Sequence, residues 1–199
     1  MTVNKVGRPS KAPERIAEIL RATAVVVARE GLASTTLSMV AAEAGLQRTL
    51  VLHYFGTRDG LLRAFVDEAV AAYGTGMLRA DSDLPVSRRI EAMFAPGAYR
   101  SRDDLVVWNE LVALAARDHQ VRDRLRELWT GRWLPDLEQQ LADEYPTAHR
   151  EAIGAAAYGL ACLFEAHWAF HLQDVTGPDR EAHGRRVARA ILAGLSGPI

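Results

Sequence analysis

Apolar residues in this chain recur at three- and four-residue intervals almost from end to end, and no stretch alternates as a strand would. That period confines the chain to an all-α fold. Its punctuation divides the helices. Pro13 stands where a first helix begins, and Ile16, Ile19, Leu20, Thr23, Val26 and Val27 form its apolar face up to Gly31. Thr36 is placed to cap a short helix over 37–44, which Gly45 ends. A second short helix spans about 48–54. Thr57 caps a long helix reaching about Leu78, with Asp59 in its first turn, where the helix dipole favours an anion. Further helices are expected over 86–95, 102–117, 120–143, 147–173 and 179–195, about nine in all. Pro135 should bend or break the third of these near Trp133.

The stretch 37–54 meets several demands at once. Two helices joined by a tight turn need a small residue where they touch, and Ala41 supplies it. The turn needs a residue at ease with positive φ, and Gly45 supplies that. Val40, Ala44, Leu46 and Val51 are spaced to bury both helices against the first. This is a helix-turn-helix pattern, whose second helix enters the DNA major groove with its N-terminal residues nearest the bases. Charge follows the same division. Residues 1–63 hold nine Lys and Arg against five Asp and Glu, a net +4, while the remainder carries −5 and the whole chain −1. A polyanion-binding head on an acidic body is implied.

Residues 13–65 resemble the DNA-binding domain of the TetR family through Gly31, Thr36, Val40-Ala41, Ala44-Gly45, His53-Tyr54-Phe55 and Leu61-Leu62. Within the family, His53-Tyr54-Phe55 followed by Thr57-Arg58-Asp59-Gly60-Leu61-Leu62 is most similar to the BetI-type regulators. So is the body around Trp108 and from Arg117 to Trp133. The chain departs from the family at Leu52, where Tyr is usual, at Leu50, where a small residue is usual, and at Arg58, where Lys is usual. The resemblance implies a flexible basic arm over 1–12, a helix-turn-helix domain over 13–60 and a ligand-binding and dimerisation domain over 61–199.

Arg48 is the leading base reader, because a guanidinium bonds guanine in a bidentate way; a phosphate contact is equally open to it. Gln47 and Thr49 follow, and Leu50 offers an apolar contact to a thymine methyl. Thr36, His53, Tyr54 and Arg58 resemble the family's phosphate-contacting positions. Arg8 is placed either for a narrow minor groove or in an arm disordered without DNA. In the body, Trp108, Trp129, Trp133, Phe164 and Trp168, with Glu110 and Glu165, would suit an organic cation; the competing reading makes the aromatic residues ordinary core. Ala155, Gly159, Cys162, Ala166, Arg189 and Leu192 are candidates for a homodimer interface, since small residues let helices approach closely and a palindromic operator mirrors a two-fold protein.

Rival classes find little support. Neither a nucleophile elbow nor a phosphate-cradling glycine loop nor a dinucleotide fingerprint occurs, which argues against an enzyme. Cys162, the single cysteine, reads as an inert buried thiol. His167 and His171 stand four apart, as metal ligands on a helix can, but no third ligand lies at matching spacing, and no cofactor is expected. A helical scaffold that binds no DNA leaves Arg48, His53 and Arg58 on one face unexplained. With no apolar run of about 18 residues and no secretory leader, a cytoplasmic regulator that touches no membrane is expected.

Overall fold

A single capped turn shows how closely local chemistry dictates this architecture. In the computed structural model, which describes residues 11–76, 84–95, 98 and 101–196, helix α2 (Leu37–Glu43) starts at Thr36, whose hydroxyl accepts from the Met39 amide at 3.2 Å. It ends where Gly45 takes φ +65°. The Gly45 amide then donates to the Ala42 carbonyl at 3.2 Å and the Leu46 amide to the Ala41 carbonyl at 2.8 Å. Those two bonds form a Schellman cap and fix the turn into α3 (Arg48–Phe55).

The described residues are helical and contain no strand. The chain divides into two units, Met1–Glu68 and Ala69–Ile199, the division falling inside α4 (Arg58–Gly76). In the first unit, α1 (Ala12–Glu30) packs on α2 and α2 on α3. Ile19, Val26, Val27, Val40, Val51 and Leu61 are fully buried there. Ala44 and Leu46 are half-buried, and Ile16, expected on the core face of α1, is exposed, the buried face of α1 beginning at Ile19. Arg29, in the last turn of α1, reaches Glu43 at 3.1 Å.

Helices α3 and α4 join through an unusually tight corner. Gly56 has φ +72° and ψ −54°, and the Thr57 amide donates across it to the Phe55 carbonyl at 2.8 Å, a γ turn that side chains disfavour. Thr57 caps α4, its hydroxyl accepting from the Gly60 amide at 3.0 Å. A Cβ on Gly60 would lie 2.1 Å from the Phe55 carbonyl oxygen, so only glycine fits.

In the second unit α5 (Val86–Met93) packs on α8 (Leu134–Glu144) and α10 (Pro178–Ala193). Helix α9 (Arg150–Leu172) packs on α6 (Arg102–Ala115), α8 and α10, and α6 packs on α7 (His119–Leu128). Its main core gathers Val86, Ile90, Phe94, Leu141, Ala157, Leu160, Ala188 and Leu192. Of the bend or break expected near Trp133, the chain shows neither a loop nor a gap but a change of helix type. Trp129–Trp133 form a π-helical turn that joins α7 to α8 directly, and Pro135 falls in the first turn of α8. The wider turn absorbs the missing proline amide without an interruption.

Candidate nucleic-acid interface and ligand cavity

The eight residues of α3 sort cleanly by face. Val51 is buried, Leu50, Tyr54 and Phe55 are half-buried, and Arg48, Thr49, Leu52 and His53 are exposed, with Gln47 exposed at the N-cap. A helix held by one buried valine and two aromatic rings can present the rest outward. The His53 ring lies edge-on to Tyr54 at 5.2 Å between centroids. Arg48, Thr49, His53 and Gln47 therefore share the solvent side, whereas Leu50 turns partly inward.

Arg58 is engaged otherwise. Its Nε donates to the Thr35 carbonyl at 2.6 Å, and its Nη2 donates to the carbonyls of Ala33 at 2.8 Å and Leu32 at 3.0 Å. A planar guanidinium can hold three carbonyls of one loop where an ammonium could not. Arg58 thus braces the segment that positions Thr36 and the start of α2. Arg8 lies outside the described residues.

The body residues fall into two places instead of one. An outer cavity of about 250 Å³ is lined by Leu105, Trp108, Asn109, Val112, Glu165, Ala166, Trp168 and Ala169. The Trp108 Nε1 donates to Glu165 Oε2 at 2.8 Å, while Glu165 Oε1 is buried and makes no hydrogen bond. Burial pushes the Glu165 carboxyl above its usual range, only partly offset by the Trp108 bond. Trp129, Trp133 and Phe164 line a separate inner cavity of about 20 Å³, room for one water molecule. The two are linked through aromatic rings, Trp129 to Trp133 at 4.7 Å and Trp133 to Trp108 at 6.0 Å. Glu110 is half-buried and lines neither cavity.

Sequence reasoning passed over Arg89 and Asn109. Arg89 is 9% exposed in the wall of the inner cavity, bonded to Gln140, and burial lowers its pKa. Its signal was present, since Arg89 lies three residues after Val86 and four before Met93 on the apolar face of α5. Asn109, whose amide donates to the Leu105 carbonyl at 3.0 Å, carried no comparable mark.

Of the interface candidates, Ala155, Cys162, Ala166 and Arg189 are exposed. Cys162 is therefore not the buried thiol expected: the small face of α9 on which it sits is uncovered in the single chain. Leu192 belongs to the core, and Gly159 faces inward, its missing Cβ position 3.6 Å from Ile191. Alongside the exposed four stand Tyr158, 64% exposed, Phe170 and Val187.

A capped helix, a glycine turn and a second helix with a polar outer face, on an otherwise helical chain, define a helix-turn-helix DNA-binding protein. The family described as "Bacterial regulatory proteins, tetR family" matches residues 19–65. The chain is 30% identical over 160 residues to the HTH-type transcriptional regulator BetI of Burkholderia thailandensis, covering 77% of this chain and 80% of that one. It is 28% identical over 170 residues to BetI of Vibrio parahaemolyticus, with 82% of each covered. Its fold is similar to that of a TetR transcription regulator from Haloarcula marismortui, at TM-score 0.73 and 17% identity over 91% of this chain and 97% of that one. It is also similar to a transcriptional regulator from Saccharomonospora viridis in complex with choline, at TM-score 0.69 and 16% identity over 91% and 96%. The chain belongs to the TetR family and is a BetI-like DNA-binding transcriptional regulator. No helix among the described residues is long and apolar enough to cross a membrane.

Proposed function

We propose that this protein is a repressor that binds a palindromic operator as a homodimer through α3 and is released by an organic cation held against Glu165. The observation that carries the effector class is the Glu165 carboxylate. It is buried beside Trp108 and Trp168, bonded through one oxygen only, at a cavity whose size suits a small ligand rather than a drug-sized one. Burying a carboxylate without an opposite charge is costly, and a bound cation supplies that charge while the indoles offer it their faces. The choline in the similar Saccharomonospora viridis protein belongs to the same chemical class.

In the head, Arg48, Gln47 and Thr49 read base edges, while His53, Tyr54 and the Thr36 hydroxyl meet phosphates. Arg58 acts indirectly, by holding the loop before α2. The uncovered apolar row of α9 (Ala155, Tyr158, Cys162, Ala166 and Phe170), with Arg189 and Val187 of α10, forms the two-fold interface. It sets the two α3 helices about 34–36 Å apart, one turn of DNA. Ala166 belongs to both that row and the cavity wall, so a ligand pressing on the wall reaches the subunit contact. The cation must bind the DNA-free arrangement more tightly, or it can shift nothing.

The test is operator release. Fluorescence-anisotropy titration of the protein on its own upstream intergenic DNA, repeated with choline, betaine aldehyde, spermidine and a neutral isostere of choline, should show release by a cation alone. A cation that binds without altering operator affinity would sink the switch.

A further inference from the structure

We propose that Leu52 is a specificity-determining residue that reads the C5-methyl group of a thymine in the operator. The inference rests on the reading of α3 as the helix that enters the major groove, and it shifts the apolar contact away from Leu50.

Leucine in the middle of a DNA-facing surface needs an explanation. Leu52 is 38% exposed, while Leu50, the other leucine of the helix, is half-buried on the side of Tyr54. At about 100° per residue, Leu52 stands about 40° from Arg48 and about 60° from Thr49, between the two and within the exposed arc that runs from Arg48 to His53. Val51, about 100° round the helix from Leu52, is fully buried, so the helix cannot roll to hide Leu52 without moving its core anchor. A side chain so placed makes no hydrogen bond to a base edge or to a phosphate. The apolar group that the major groove offers it is the thymine methyl. Leu52 lies one helical turn beyond Arg48, roughly 6 Å along the axis, so the thymine sits one or two base pairs from the base that Arg48 meets. Leu52 thereby distinguishes thymine from cytosine, which lacks the methyl, at a position where hydrogen-bonding side chains are absent.

The experiment uses the full-length protein and duplexes selected by it from a random library. Each thymine of the selected site is replaced in turn by deoxyuridine, which removes the methyl and leaves every hydrogen-bonding group. Affinities are measured for the wild type, Leu52→Ala, Leu52→Asn and Leu50→Ala. In the wild type and in Leu50→Ala, one demethylated thymine per half-site should weaken binding about fourfold, the worth of one methyl group withdrawn from water. In Leu52→Ala and Leu52→Asn the same replacement should change nothing. The proposal is overturned if no demethylation weakens the wild type, or if the loss persists in both Leu52 variants. An Arg48→Ala, His53→Ala protein measured alongside keeps the two readings apart. If it loses salt-sensitive binding while no methyl matters, the groove-entering helix stands and Leu52 alone is refuted. If no duplex is selected at all, both fall.

Discussion

Trp108 and Glu165 are 57 residues apart in sequence, yet the indole Nε1 of one donates to the carboxylate of the other at 2.8 Å and ties α6 to α9. That bond satisfies one oxygen and leaves its twin buried without a donor, so the carboxylate is held in place and still short of a partner. Glu165→Gln should therefore weaken binding of a quaternary ammonium effector by about tenfold or more while leaving operator binding intact, as checked by isothermal titration and anisotropy.

The same carboxylate predicts a pH dependence. Its folded pKa is raised by burial, so the folded state holds the proton more tightly than the unfolded chain. Its stabilising contribution is complete below the ordinary carboxylate range and is lost as pH rises through the raised value. The melting temperature of the wild type relative to Glu165→Gln should fall across that window in the absence of ligand. Effector affinity should run the opposite way and strengthen as the carboxyl ionises. A difference in melting temperature that is flat between pH 4 and pH 8, a window of about four units upward from the usual range, would contradict both.

Arg58→Ala should cost roughly 1–3 kcal/mol, because three loop carbonyls lose a charged donor. Arg58→Lys should recover little, since an ammonium cannot reproduce the planar fork. Thermal melts of the two variants measure this directly. A direct phosphate role would give the opposite pattern: unchanged melts, with lysine restoring operator affinity.

Arg48→Ala should weaken operator binding by roughly 1–3 kcal/mol and relax preference at one base pair, if its guanidinium reads guanine. Uniform weakening across all sequences, with a shallower salt slope, would instead assign it to phosphate. Competition binding over single-base operator variants at two salt concentrations separates these outcomes.

Tyr158→Arg should convert the proposed dimer to a monomer at micromolar concentration, read by light scattering. It places a charge within an apolar row that a partner would cover. A dimer that survives would remove α9 from the interface.

Much of the head was legible in the sequence, and the reason is local. Thr36, Gly45 and Thr57 act through bonds to residues a few positions away, so their roles follow from chain geometry alone. The bonds of Arg58 to the loop were not legible because its partners, Leu32, Ala33 and Thr35, lie more than twenty residues earlier and contribute backbone oxygens, which leave no trace in side-chain pattern. The body shows the same limit more strongly. Helical spacing named Trp108, Glu165 and Trp168, but spacing alone could not separate them from Trp129 and Trp133, which turn toward Arg89 in a different cavity. Leu192 and Gly159 illustrate the other side of that ambiguity. A small or aliphatic residue on a helix serves a core and an interface equally well by pattern, and only the facing helix decides.

The corner between α3 and α4 bears on how such a molecule transmits motion. Gly60 approaches the Phe55 carbonyl so closely that no side-chain atom fits between them, and Gly56 closes the γ turn across the same junction. A joint without clearance has no backlash. When the first turn of α4 rotates, the recognition helix must turn with it instead of absorbing the displacement in a slack loop. Small angular changes in the first turn of α4 are therefore expected to reach α3 instead of being lost at the joint, as through a crank.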